Sequence, residues 1–128
     1  MIAAVLFAHS SYSAEPEKCY LSRSYQAEVR DRATVVRESG RVRFIFETTY
    51  CNYTMSPDCA NGRSEDLEVQ GVQRGDVVAA VSADGSCHVR IRFGRRGRMF
   101  VSQDSPCPSI LYWGPHGIYT EAPPQSCH

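Results

Sequence analysis

Apolar and polar residues alternate with a period of two through most of this 128-residue chain, the pattern of strands with one buried and one wet face. The clearest stretch is Arg41-Val42-Arg43-Phe44-Ile45-Phe46-Glu47, where Val42, Phe44 and Phe46 share one face and Arg41, Arg43 and Glu47 the other. Thr34 to Arg37 precedes it across Ser39-Gly40, a tight-turn pair, so the two segments predict a hairpin. Leu67 and Val69 face opposite to Glu68 and Gln70, and the polar stretch GVQRGD then leads into Val77-Val78-Ala79-Ala80-Val81. Asp84-Gly85 predicts a two-residue hairpin turn, because both residues tolerate positive φ. His88 to Phe93 alternates cleanly, Gly94 to Gly97 turns again, and Met99-Phe100-Val101 returns. Tyr20 to Tyr25 and Gly117 to Thr120 supply a first and a last strand, while Gln26 to Arg32 reads as a loop or one helical turn.

Turn signals at this spacing predict an all-β domain: a small antiparallel meander closing into a seven- to eight-stranded barrel, with a β-sandwich as the alternative. Closure is preferred because it removes exposed strand edges. The tail Ala122-Pro123-Pro124-Gln125-Ser126-Cys127 is excluded from any central strand by its prolines. No internal repeat, low-complexity linker or second domain is visible.

Two features set the compartment. Residues 1–13 are apolar, run through Ile2 to Ala8 and end in small residues, so they read as a signal peptide ahead of one β domain at 14–128, although no Lys or Arg opens the segment. The run is too short to span a membrane. Six cysteines, Cys19, Cys51, Cys59, Cys87, Cys107 and Cys127, then read as a disulfide framework in a periplasmic or secreted protein. Fifteen pairings are open. Cys51 with Cys59, Cys87 with Cys107, and Cys19 with Cys127 fit the strand order. Without a C-x2-C spacing, and with His88, His116 and His128 scattered, no metal site is expected.

Charge narrows the partners. With 14 basic and 14 acidic residues the formal net charge is zero, which argues against nucleic acid and anionic membrane as partners. Thirteen of the basic residues are arginine, a bias expected of a GC-rich bacterial genome. Within that balance Arg90, Arg92, Arg95, Arg96 and Arg98 lie in a stretch without an acid between Gly85 and Gln103. Arg90 and Arg92 project from one outer face of a strand, and Arg95 and Arg96 sit on a turn, positions from which they would reach an acidic partner. The plainer expectation is that they pair across strands with Glu47, Glu65, Asp66 or Glu68.

Other signals are weaker. Arg74-Gly75-Asp76 spells the tripeptide recognised by integrins at an expected hairpin tip, although Gly-Asp is also ordinary turn chemistry. Asn52-Tyr53-Thr54 is a glycosylation sequon, meaningful only in a host that glycosylates exported proteins. The aromatic segment around Trp113 reads either as a plug at one barrel end or as a recognition patch. No nucleophile elbow, zinc-protease helix, phosphate loop or dinucleotide fingerprint occurs, so an enzyme is not expected, nor a cofactor.

The order of the segments DLEVQG, GSCHVRIRF, MFVSQDSPC and HGIYTEA resembles that of small exported bacterial β-proteins. In size, export and strand-rich pattern the chain is similar to the MliC/PliC family of periplasmic inhibitors of c-type lysozyme. That family presents a serine from an S-x-x-G-type loop and a nearby lysine to the acidic lysozyme cleft. The resemblance places Ser82-Ala83-Asp84-Gly85 as the serine loop, with Arg95 or Arg96 in place of the lysine. It implies an exported binding protein that inhibits a lysozyme-like cell-wall hydrolase by cleft occupancy, with Ser82, Arg95, Arg96 and Trp113 meeting the partner. The other readings are a periplasmic immunity protein that neutralises a toxin and a small lipocalin-like carrier. An interior filled by Phe44, Phe46, Ile91 and Phe93 argues against a carrier.

Overall fold

The computed structural model describes residues 16–22, 29–50, 63–104, 107 and 117–128. Eight strands follow one another: β1 (Lys18–Ser22), β2 (Val29–Glu38), β3 (Arg41–Tyr50), β4 (Arg63–Arg74), β5 (Val77–Ser82), β6 (His88–Phe93), β7 (Arg98–Gln103) and β8 (Gly117–Ala122). Each pairs antiparallel with the next, and β8 returns to β1, so the sheet is a closed barrel in simple meander order. The barrel expectation holds and the sandwich does not. Among the described residues no helix is long and apolar enough to cross a membrane.

Alternation explains the interior. From β3 come Val42, Phe44 and Phe46; from β6 and β7 come Val89, Ile91, Met99 and Val101, all of them buried. Aromatic rings occupy the middle: Phe44 stacks with Phe46 and with Phe93 at centroid distances of 6.1 Å each, and Phe46 meets Tyr119 at 5.8 Å. Each such ring removed from water stabilises the fold by about 1.5–3 kcal/mol. Tyr119 also carries a hydroxyl whose pKa is raised, by burial first and by the Asp31 carboxylate second. At one mouth the Arg37 guanidinium turns inward, lies 4.8 Å from the centroid of the Phe93 ring and donates to Gln73 Oε1 at 3.3 Å.

Three sequence expectations are corrected. Residues 29–32 are strand and not loop or helix, because Asp31 takes an inward position and its carboxylate accepts from the Thr48 hydroxyl at 2.8 Å, so the buried face shows no apolar residue there. The GVQRGD stretch is strand through Arg74, since Gly71 and Gln73 continue the inward series of Leu67 and Val69 without its hydrophobicity. The link between β5 and β6 is a five-residue loop, 83–87, in which only Gly85 takes positive φ, at 77°. By contrast, Ser39 and Gly40 form the expected two-residue turn with φ of 50° and 80°.

Two disulfides have the pairing expected from strand order. Cys87 joins Cys107 across a Cα separation of 4.6 Å, tying the start of β6 to the segment after β7. Cys19 on the outer face of β1 joins Cys127, with a Cα separation of 5.7 Å. Pro124–Cys127 forms a 3-10 turn that packs on β1 and β2, where the Cys127 sulfur lies 3.7 Å from the Ala33 carbonyl oxygen. The proposed bridge between Cys51 and Cys59, and the leader at 1–13, lie outside the described residues.

Gly71 and the disulfides generate two expectations about stability. A Cβ at Gly71 would be driven into the Ala79 carbonyl oxygen of β5, so Gly71→Ala should cost about 1–3 kcal/mol and lower the thermal midpoint by at least about 4 °C in calorimetry. The bridge from Cys19 to Cys127 spans 108 residues, against 20 for Cys87 to Cys107. Restriction of the unfolded chain therefore predicts that removing the first pair costs ~1.5 kcal/mol more than removing the second, read from urea unfolding of the two double-serine variants.

Candidate functional site

Antiparallel order sorts the connections between the two ends of the barrel. The turns at 39–40, 75–76 and 94–97 lie at one end, and the loop 83–87 lies at the other. Strand β6 separates loop 83–87 from turn 94–97, and its six residues span about 17 Å. Ser82 and the pair Arg95 and Arg96 therefore cannot enter one small cleft together. Ser82 is also only 8% exposed on the inner face. Its hydroxyl donates to Asp84 Oδ1 at 2.7 Å and accepts from the Cys87 N–H at 3.0 Å. The serine hydroxyl is therefore engaged in shaping the loop, and not presented on the surface as the resemblance implied.

Asp84 organises that loop. Besides Ser82, it accepts from the Ser86 hydroxyl at 2.6 Å and from the Ser86 N–H at 3.0 Å. These donors, Ser86 first, lower its carboxyl pKa from 3.8 to about 2.

At the other end the arginines gather. Arg90 and Arg92 point outward from β6 as expected, between the inward Val89, Ile91 and Phe93. Arg98 and Phe100 point outward from β7, and Phe100 sits directly across from Arg92. The Arg92 guanidinium lies over the Phe100 ring, 4.4 Å from its centroid. Register extends the face further: Val77 of β5 stands between Arg74 of β4 and Arg92, and Ala79 stands between Val72 and Arg90. Val72 is 45% exposed, so the face mixes charge with apolar surface.

The expected cross-strand pairing of these arginines does not occur. Glu47 pairs with Arg32 at 3.5 Å, and Arg43 takes Glu68 at 3.6 Å and Glu38 at 3.7 Å. Those partners share strands β2 to β4. Among the described residues, Arg90, Arg92, Arg95, Arg96 and Arg98 form no ion pair with a carboxylate. Sequence reasoning missed Arg74 and Phe100 as members of this face. Phe100 was detectable as the apolar residue out of phase with Met99 and Val101.

The turn at 94–97 closes the face from below. Its Arg98 N–H donates to the Arg95 carbonyl at 3.2 Å, and the Gly94 N–H donates to the Arg98 carbonyl at 2.8 Å. Arg96 and Gly97 both take left-handed φ, 59° and 70°. Between this turn and the sheet opens a concavity of 390 Å³ lined by Arg92, Gly94, Arg95, Arg96, Arg98 and Phe100.

The remaining candidates fall elsewhere. Arg74-Gly75-Asp76 occupies an exposed turn with Gly75 at φ 64°, and the Gln73 side-chain amide donates to the Gly75 carbonyl at 2.9 Å. His88 is exposed at the start of β6. Trp113, His116 and the sequon at Asn52 lie outside the described residues. No protein-family model, curated protein or solved structure matches the chain.

Asp84 makes the stability of its loop depend on pH. Because its folded pKa lies below the unfolded value of 3.8, its stabilising bonds are fully present above that pH and are lost as pH falls through about 2. Carbon-detected titration should place the Asp84 carboxyl midpoint near pH 2, and Asp84→Ala should remove the part of the acid-side stability loss that falls between about pH 4 and 2.

Proposed function

We infer that the chain is an exported, disulfide-stabilised binding protein that seats its arginine face on a carboxylate-rich protein partner. In its sharpest form it is a periplasmic inhibitor of a lysozyme-like cell-wall hydrolase that blocks a carboxylate-lined cleft by occupancy. One observation carries this reading: five arginines on β6, β7 and their turn face outward with no carboxylate partner among the described residues. Exposed guanidinium groups left unpaired on a rigid sheet keep their full hydrogen-bonding capacity for another molecule. The closed sheet favours binding, because little main-chain freedom remains to be lost on association.

Further support comes from the interior and from the cysteines. Aromatic and aliphatic side chains fill the barrel where a lipocalin-like carrier would need open volume. Disulfides belong to an oxidising compartment, which agrees with export. Within this reading Arg95 and Arg96 lead into the cleft, Arg92 and Arg98 flank them, and Val77 and Phe100 supply apolar contact. Ser82 takes no part.

Residual cell-wall hydrolysis by several lysozymes, measured at molar excess of the protein, tests the proposal. The expected outcome is inhibition of at least one enzyme, weakening as salt rises because the contact is charge-driven. Arg95→Glu with Arg96→Glu should weaken it by about tenfold or more, and full hydrolase activity throughout would remove the hydrolase reading.

A further inference from the structure

We propose that the concavity under the 94–97 turn is a binding site for a phosphate ester on a sugar-sized group. Four arginines line it, Arg92, Arg95, Arg96 and Arg98, and no carboxylate does. Two acidic residues neighbour the turn without lining the hollow: the Glu121 N–H donates to the Gly97 carbonyl, and the Asp76 carbonyl accepts from the Phe93 N–H, both at 2.8 Å. A single carboxylate ligand would leave most of this positive charge uncompensated. A phosphomonoester carries close to two negative charges at neutral pH and three acceptor oxygens, which suits several guanidinium forks at once.

The walls are built in advance. The cation–π contact with Phe100, 4.4 Å from guanidinium carbon to ring centroid, restrains the Arg92 side chain at the wall of the hollow. A Cβ on Gly94 would come within 2.7 Å of Phe100 Cε2, so any larger residue there would displace the ring that supports Arg92. Arg96 is held in the left-handed region, where glycine or asparagine would be less strained. Arg96 lines the hollow from that conformation. A volume of 390 Å³ exceeds what a bare phosphate needs and falls within the range of small-ligand pockets.

The same chemistry occurs in a free sugar phosphate and in a phosphorylated lipid headgroup. Binding of either requires no protein partner, so this proposal and the hydrolase reading fail separately. Calorimetric titration of the full chain at low ionic strength with glucose 1-phosphate, glucose and acetate tests it, beside sedimentation with phosphatidylcholine vesicles that do or do not contain phosphatidic acid. Expected is saturable binding of the phosphate ester about tenfold or more tighter than acetate, with none for glucose. Arg95→Gln with Arg98→Gln, both at exposed positions, should lower that affinity by about tenfold or more, while Arg32→Gln on β2 should leave it within about twofold. Binding of the free ester assigns a soluble source, and binding confined to phosphatidic acid vesicles assigns a membrane source. Failure to bind either, or equal binding by the double variant, overturns the proposal.

Discussion

The seam between β1 and β8 is the contact on which the rest of the molecule depends. Strand β1 has five residues, yet it pairs on both sides, Cys19 with Thr34 and Ala122, Tyr20 with Ala33 and Glu121. Without it the sheet would have two open edges and a split interior. A short seam joining distant parts of the chain pays the loop-closure entropy of nearly the whole domain. The bridge from Cys19 to Cys127 lies on that seam, and the 3-10 turn packs over it. The tail therefore acts as a clasp on the closure and is no loose end.

Closure also decides where chemistry is available. The inner positions are taken by packed side chains, with Tyr20 and Tyr119 both raised in pKa chiefly by burial. The outer face and the two ends are what solvent meets. There the formally neutral chain is not uniform. Outward carboxylates Asp66 and Glu68 lie on β4, and Glu47 and Glu68 hold Arg32 and Arg43 near them. Basic groups dominate β6, β7 and their turn. Zero net charge weakens long-range attraction to any polyanion, but segregation of this kind still orients an approaching partner.

Periodicity carried most of the fold in advance. Strands β3, β5, β6 and β7 are legible because the inward residues Val42, Phe44 and Phe46, Val78 and Ala80, Val89 and Ile91, and Met99 and Val101 are apolar, and Ser39-Gly40 is legible because its turn type demands positive φ. Legibility stops where an inward position is polar or small. Asp31 concealed the start of β2, and Gly71 with Gln73 concealed the end of β4, since each satisfies a geometric need and not a hydrophobic one. Pairing of charges was illegible for a different reason. Which arginine meets which carboxylate depends on strand neighbours and register, so acids on β3 and β4 go to Arg32 and Arg43, while β6 and β7 are left without them. The burial of Ser82 was illegible similarly, because an S-x-x-G spelling does not say whether its hydroxyl is spent within the loop.

The two ends of the barrel differ in what holds them, and that difference bears on which end meets a ligand. At the Ser82 end Asp84 accepts three hydrogen bonds, from the Ser82 hydroxyl and from the hydroxyl and N–H of Ser86, so its charge is stabilised locally and those donors are consumed. At the opposite end the backbone of turn 94–97 is equally well bonded, through the Gly94, Arg98 and Glu121 N–H groups, but the side chains of Arg95 and Arg96 take no part in those bonds. Order in the main chain combined with unspent side-chain donors is the arrangement that lowers the entropic cost of binding without lowering the interaction itself. It also explains how Arg96 persists in a left-handed conformation: the bonds on either side fix the turn, and the strain is borne by the fold and not by the ligand.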